Sequence, residues 1–215
     1  MLSSGPAETF SKEMPVYVGP ATEGDLAPID ILYGCYSPND LRIKIFVNRI
    51  STDAPRFKAE FPDLLTVVRI HEYAHAVVHT GINTADVSEQ LAKLGIGGTT
   101  DWESFRADRD RAFSALDNDC HELLAQAIAC ACISREPVSP RSQRLIETFL
   151  ALEEQQPQRY QLPSEVKQCA HLADWGVVLR AARGELDVHR GPSFNFAAGL
   201  AALIRKTAER RGARG

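Results

Sequence analysis

The feature that most constrains the fold is a long apolar helix predicted over residues 62–80. Apolar side chains recur there with helical spacing over so broad a surface that the helix is expected to run through the centre of a domain. A proline suits its first turn, and Gly81 suits the position just after its last residue. Three polar side chains, His71, Glu72 and His75, interrupt the apolar surface, and a purely structural helix would have to satisfy each of them with a hydrogen bond.

These three residues form the pattern H-E-x-x-H within the segment HEYAH. At 3.6 residues per turn, His71 and His75 project from one face about one turn apart, so both imidazoles can reach a single Zn²⁺. Glu72 lies beside them, where its carboxylate can take a proton from zinc-bound water. The pattern therefore predicts His71 and His75 as metal ligands and Glu72 as the catalytic base.

A third ligand is expected, because a catalytic zinc usually has three protein ligands and leaves its fourth position to water. The metzincin pattern HExxHxxGxxH is excluded, since Val78 and Gly81 occupy the places of its glycine and third histidine. The gluzincin class takes a glutamate from a later helix, and Glu122 in HELLAQAIA is placed for it. His121 is the alternative, and only one of these neighbours can face the metal because they point about 100° apart on a helix.

The two motifs together, HEYAHAVVH and ELLAQAIA, resemble those of the ImmA/IrrE family of small cytoplasmic gluzincins. The second motif of that family has a glutamate, an alanine three residues on and then an amide side chain, which are here Glu122, Ala125 and Gln126. The similarity covers residues 41–133 and leaves the last third of the chain unmatched. It implies a zincin-like fold, zinc bound by the HExxH histidines and the later glutamate, peptide-bond cleavage, and transcriptional regulators among the targets.

A small antiparallel sheet is predicted before the central helix. We expect a short strand at 16–18 and two β-like segments, 29–36 and 41–50, joined by a run of turn-forming residues. Apolar residues alternate with more polar ones in 41–50, which indicates one buried face. Since zinc peptidases commonly offer a strand's free edge to the substrate, we predict that 41–50 binds substrate in this way. The residues assigned to this role are Ile43, Ile45 and Val47. The alternative is that 41–50 is an interior strand, paired on both sides.

Helical periodicity predominates after residue 51, so the fold class expected is α+β, with a helical majority and a zincin-like active-site helix. We predict that residues 1–140 form the catalytic domain. Residues 141–215 would form a helical C-terminal part, either packed on that domain or joined to it through a hinge at 155–163. Further helices are predicted at 85–94, from about 100, and at 120–133, 141–154, 164–183 and 193–211.

Composition restricts the partners and the compartment. The 215 residues carry a formal net charge of −4, which gives no reason to expect nucleic acid or an anionic membrane as partner. No stretch approaches the ~20 apolar residues that span a bilayer, and no signal-peptide pattern opens the chain. The five cysteines match no disulfide scaffold, and Cys130 and Cys132 lie in an apolar run where burial is expected. We therefore predict a cytoplasmic protein with reduced cysteines.

Three functions remain open on the sequence alone. The first is a zinc metallopeptidase that hydrolyses an extended peptide or a flexible protein loop, and the second is a catalytically idle module that binds another protein. The third is a zinc hydrolase that acts on a non-peptide amide. The presence of Glu72 favours the first, since a purely structural zinc site would gain nothing from a base. A second donor to the oxyanion is usual in such enzymes. The candidates for it are Tyr33, Tyr36, Tyr160, His171 and His189.

Overall fold

The computed structural model describes residues 16–19, 33–38, 41–80, 118–179 and 196–212. In this part of the chain a small sheet is combined with a helical majority, which confirms the α+β class. The strands are β1 (Val16–Gly19), β2 (Gly34–Ser37) and β3 (Arg42–Phe46). The helices are α1 (Val47–Asp53), α2 (Phe61–Thr80), α3 (Asn118–Ser134), α4 (Pro140–Glu154), α5 (Ser164–Cys169) and α6 (Phe196–Gly212). Short 3₁₀ turns lie at Ala54–Phe57, Gln158–Tyr160 and Ala170–Leu172.

The sheet has the strand order β1-β3-β2. β2 pairs with β3 in the antiparallel sense, with Gly34 opposite Ile45, as the two β-like segments predicted. β1 lies at the predicted position and pairs with β3 in parallel. The sheet is therefore mixed and not purely antiparallel, because a strand's direction depends on how the chain returns to the sheet and not on the strand's own residues.

The prediction that residues 41–50 offer a free edge to substrate is wrong. β3 is the central strand and is hydrogen-bonded on both sides, and Ile43 and Ile45 are fully buried. Val47 is not in a strand at all, because α1 begins there. The alternating pattern correctly indicated a buried face, but alternation is the same in a central strand and in an edge strand.

Helix α2 is the central helix predicted from the apolar period. It packs against α3, α4 and the sheet, and Leu64, Val67 and Val68 are among its buried residues. Its first turn is held to α4 by an ion pair in which Arg144 Nε donates to Asp63 Oδ2 at 2.8 Å. Because α2 and α3 lie side by side, the HExxH residues and the start of α3 face a common space.

The C-terminal helices share a core with the first part of the chain. Leu145 and Phe149 of α4 and Ile204 of α6 belong to the same buried cluster as Ile45 and Leu64. α3 and α4 lie within two residues of their predicted bounds. The segment 155–163, predicted as a hinge, packs against α3 through its 3₁₀ turn.

The long helix predicted over 164–183 is broken in the structure. α5 ends at Cys169, a 3₁₀ turn follows, and residues 175–179 are again helical. Asp174 accounts for the restart, because its Oδ1 accepts a hydrogen bond from the Val177 amide in the way that an N-cap residue does. The side chain of Arg135 donates to the carbonyl oxygens of His171 and Ala173 and holds the break in place.

Several predictions lie outside the described residues. They are the glycine cap at 81, the helices at 85–94 and from about 100, and the start of the last helix. No disulfide joins the five cysteines, all of which the structure describes. Cys130 is buried as predicted, whereas Cys132 is exposed. Among the helices described, none combines the length and the apolar character needed to cross a membrane.

Candidate metal centre

The two motif histidines converge as the helical spacing predicted. In α2 their rings are mutually perpendicular with centroids 4.7 Å apart, and Nε2 of His71 lies 3.1 Å from Nε2 of His75. Both side chains are largely buried, at 18% and 13% exposure. Two nitrogen atoms able to bind a metal therefore point at the same place.

Helix α3 brings Glu122 to this point. Its Oε2 lies 3.3 Å from Nε2 of His71, and its Oε1 lies 3.4 Å from Nε2 of His75. Among the described residues, these three side chains form the one group whose ligand atoms are close enough to share an ion, all within 4.8 Å of one another. His121, the alternative third ligand, lines the same cavity but does not belong to this group.

The spacing of the three side chains fits a metal ion. Zinc bonds of about 2.0–2.2 Å at tetrahedral angles place the ligand atoms about 3.3–3.6 Å apart. The two Nε2 atoms are 3.1 Å apart, and each histidine lies 3.3 or 3.4 Å from a different oxygen of Glu122, so the nearest separations are close to this range. Two imidazole nitrogens and one carboxylate oxygen are also a donor set that zinc accepts. The group could therefore hold a divalent ion with one position left over.

The three side chains of the group change one another's pKa values. Burial alone would raise the pKa of Glu122, but hydrogen bonds from both histidines outweigh it and hold that pKa well below its usual value. Burial also opposes a charge on His71, yet the adjoining carboxylates raise its pKa. Burial lowers the pKa of His75, and the neighbouring His71 lowers it further. The ionised Glu122 thus supplies the negative charge that would attract a cation.

Glu72 lies beside the group without belonging to it. Its side chain is 5% exposed, and burial, reinforced by the charge of Glu122 and opposed by His71, raises its pKa to about 7. A cation on the neighbouring ligands would favour the ionised form and move this pKa back down. Among the described residues, Oε2 of Glu72 has no hydrogen-bond partner. A buried carboxylate oxygen without a partner is rare in native proteins, and such a position suits a group that contacts a water or ligand at the site.

Gly34 allows the sheet to approach this carboxylate. A Cβ atom at Gly34 would lie 2.8 Å from Cγ and 2.9 Å from Oε1 of Glu72, and 3.0 Å from the carbonyl oxygen of Lys44. The first two distances are shorter than the contacts that real Cβ atoms make and the third is tight, so any other residue at position 34 would force Glu72 or the strand to shift. The sequence contained no signal for this role, because it depends on how α2 packs against β2.

A cavity of about 610 Å³ opens onto the metal-binding group. Of the candidate oxyanion donors, Tyr33, Tyr36 and Tyr160 line it, whereas His171 does not and His189 lies outside the described residues. The Tyr33 hydroxyl donates to Asp53 Oδ2 at 2.6 Å, and burial and this carboxylate raise the pKa of Tyr33. Tyr36 is hydrogen-bonded to Nδ1 of the buried His79 at 2.6 Å.

Comparison with known proteins found no relative of this chain. No protein-family model matches the sequence, and no curated protein or solved structure is significantly similar to it. The resemblance to the ImmA/IrrE family therefore stays a prediction from the two motifs. The case for a function depends on the geometry of the site.

Proposed function

We propose that this protein is a zinc metallopeptidase of the gluzincin kind, with a zincin-like catalytic domain, that hydrolyses peptide bonds in extended segments of proteins or peptides. One observation carries the proposal. His71, His75 and Glu122 bring their ligand atoms within 4.8 Å of one another, and the buried carboxylate of Glu72 lies beside them with an oxygen that has no described partner.

The chemistry divides between the ion and the protein. Zinc bound by His71, His75 and Glu122 would supply Lewis-acid polarisation of the scissile carbonyl and of water. Glu72 takes a proton from the attacking water and returns it to the leaving amine, which is the work of a general acid–base residue. Its burial keeps competing water away from the carboxylate, and the β2 backbone at Gly34 restricts its position.

The substrate is expected to lie along β2. The sequence had predicted β3 for this role, but β3 is paired on both sides. Gly34, Cys35 and Tyr36 of β2 line the cavity beside the metal-binding group, so a peptide bound at the site would lie next to this strand. An extended peptide can bind beside a strand through main-chain hydrogen bonds. This mode of binding favours substrates that are cleaved within disordered segments or loops. The family resemblance suggests a transcriptional regulator in the cytoplasm as the partner that supplies such a segment.

The direct test uses a proteome-derived peptide library, which requires no knowledge of the natural substrate. Zinc-loaded protein is incubated with the library, and new termini are counted by mass spectrometry for the wild type and for Glu72→Gln. We expect the wild type to cleave and the variant to lose at least ~10²-fold in rate, the effect that general-base removal produces. Zinc content should be the same in both, because Glu72 is not one of the ligands.

A matched control tests whether the loss of cleavage in Glu72→Gln is specific to this carboxylate. Glu147→Gln makes the same change at an exposed residue of α4 that does not line the cavity, and it should cleave like the wild type. Equal cleavage by metal-loaded Glu72→Gln would assign the base elsewhere. If the wild type cleaves nothing while binding zinc, the chain is the idle binding module and the peptidase proposal is wrong.

A further inference from the structure

A second cavity, of about 470 Å³, lies at the other end of α3 from the metal-binding group. Arg135, which lines it, follows the last residue of α3, whereas Glu122 lies near the start of that helix. At a rise of 1.5 Å per residue, these two positions are about 20 Å apart along the helix axis. The two cavities have no lining residue in common among those described. The second cavity is therefore separate from the candidate metal centre.

The lining of this second cavity is rich in positive charge. It includes Arg135, Arg210 and Arg211, and Asp174 is the one acidic residue among the described residues that line it. The whole chain, in contrast, carries a formal net charge of −4. Positive charge gathered in a concave surface attracts anions, so an anionic ligand suits this cavity. It is called here the arginine cavity and is defined by Arg135, Trp175, Arg210 and Arg211.

Two of its arginines come from the last turns of α6. Arg210 and Arg211 follow Thr207 by three and four positions, so all three side chains lie on one face of the helix, and all three line the cavity. Both arginines are exposed, and the described part of the chain supplies neither with an ion pair or a hydrogen bond. Their guanidinium groups are therefore open to a ligand.

The third arginine is held in a fixed orientation. Nε of Arg135 donates to the carbonyl oxygen of His171 at 2.7 Å, and its Nη2 donates to that of Ala173 at 3.2 Å. A guanidinium group has five donors in a planar fork, so these two bonds leave others for a ligand. Because the group is oriented before a ligand arrives, less side-chain entropy is lost on binding.

Trp175 adds an aromatic side chain to the lining. Its indole Nε1 donates to the carbonyl oxygen of Ala170 at 3.2 Å, and the partly buried ring packs against the main core cluster. The indole is therefore held in place at the cavity. Nucleic-acid bases stack on aromatic side chains of this kind, and positively charged residues beside them bind the phosphates. The arginine cavity brings both features together.

We propose that the arginine cavity binds a nucleotide, with its phosphates held by Arg135, Arg210 and Arg211 and its base against Trp175. Guanidinium groups pair with phosphate oxygens through parallel hydrogen bonds. The volume of about 470 Å³ lies within the range of small-molecule sites. An acidic peptide would also match the charge, but the aromatic side chain and the concave shape favour a compact ligand with a ring. This inference does not depend on the peptidase function.

The fluorescence of Trp175 provides the test. The chain has two tryptophans, so Trp102→Phe leaves Trp175 as the only one. ATP, adenosine, tripolyphosphate and a hexaglutamate peptide are titrated into this variant, and calorimetry on the unmodified chain checks the same ranking. We expect ATP to change the fluorescence saturably and to bind at least ~10-fold tighter than adenosine or tripolyphosphate, since each of these lacks one half of the interaction. No saturable binding of ATP by either method, or tighter binding of hexaglutamate, overturns the proposal.

Variants of the exposed arginines locate the bound nucleotide. Arg210→Gln and Arg211→Gln should each weaken ATP binding about 10-fold, the effect of losing a hydrogen bond to a charged group, and should leave adenosine binding unchanged. Arg205→Gln is the matched control, because Arg205 is an exposed arginine of the same helix that does not line the cavity. Equal weakening in Arg205→Gln, or no weakening in Arg210→Gln and Arg211→Gln, would mean that ATP is not held in this cavity and would overturn the proposal.

Discussion

The carboxylate side chain of Glu72 occupies the space where a Cβ atom of Gly34 in β2 would lie. We predict that Gly34→Ala displaces Glu72 and lowers kcat/KM by about 10- to 100-fold, the effect of a small misplacement of a catalytic group. Zinc content should not change, because the atoms that a Cβ would meet are those of Glu72 and Lys44 and not those of the ligands. Cleavage rate and zinc content are measured on the same samples.

The control for this substitution is Gly212→Ala, near the end of α6, where a new Cβ would meet nothing within 4 Å. It adds the same methyl group and should leave cleavage unchanged. Wild-type activity in Gly34→Ala would mean that the position of Glu72 does not depend on the close approach of β2.

The sequence predicted those residues of the site that lie close together along the chain. His71, Glu72 and His75 occupy consecutive turns of one helix, so their convergence follows from helix geometry alone. Glu122 could be proposed because its helix carries a second motif, and the structure brings its carboxylate to both histidines. Gly34 could not be predicted, since its requirement for glycine arises only when two distant elements pack together.

At the scale of the element, the proposed function places the substrate beside β2, whose residues line the cavity. We predict that single N-methylation of peptide amides on alternate residues flanking the scissile bond slows cleavage, because each methyl group removes one donor from the pairing with the strand. Cleavage of each methylated peptide is compared with that of the parent peptide by chromatography. If no methylated position outside the scissile bond slows cleavage, the substrate is not held as an added strand.

Helix α4 carries Phe149 and Leu152 into the cavity, and its first turn is fixed by a capping box. The Ser139 hydroxyl accepts a hydrogen bond from the Ser142 amide at 3.1 Å, and the Ser142 hydroxyl accepts one from the Ser139 amide at 2.9 Å. We predict that Ser139→Ala lowers the free energy of unfolding by about 1 kcal/mol, the usual cost of losing an N-cap side chain. Equilibrium urea denaturation measures this change.

Ser164→Ala is the comparison for the cap. Ser164 begins α5, but no side-chain cap is formed there, and its exposed hydroxyl donates to the neighbouring Glu165. Its removal should change the free energy of unfolding by less than about 0.5 kcal/mol, as at most surface positions. Equal losses in the two serine variants would contradict the role assigned to the capping box.

The sequence predicted which segments form helices and strands, but not where the helix over 164–183 breaks or how the strands are ordered in the sheet. The apolar period identified α2, α3 and α4 to within two residues, because each has a continuous helical pattern. The same pattern continues across Ala173 and Asp174, so the break after α5 could not be seen in it. Similarly, strand β3 was found, but its central place in the sheet depends on β1, which lies far away in sequence.

At the scale of the whole molecule, one buried cluster joins the sheet, the motif helices and the C-terminal helices. The C-terminal helices therefore contribute both to the core and, through α4 and the segment after it, to the wall of the cavity. The sequence predicted the helices that build this core, but not which of them would face the site. That arrangement depends on contacts such as the Arg144–Asp63 pair, whose members lie 81 positions apart.

A metal bound between α2 and α3 would join two elements that are distant in sequence. Binding to the folded state alone stabilises that state in proportion to the logarithm of the ligand concentration, so zinc should also raise the unfolding midpoint. Zinc binding should therefore depend on the folded chain, which brings α2 and α3 together, and not on either helix alone.

The most direct measurement is the zinc content of the purified chain after dialysis against metal-free buffer, determined by elemental analysis. We predict about one zinc ion per chain in the wild type, and much less in His75→Ala and Glu122→Ala, because removing one of three ligands leaves the ion open to water on two sides. Glu72→Gln should retain the wild-type content. Full zinc occupancy in both ligand variants, or none in the wild type, would contradict the metal centre on which this account depends.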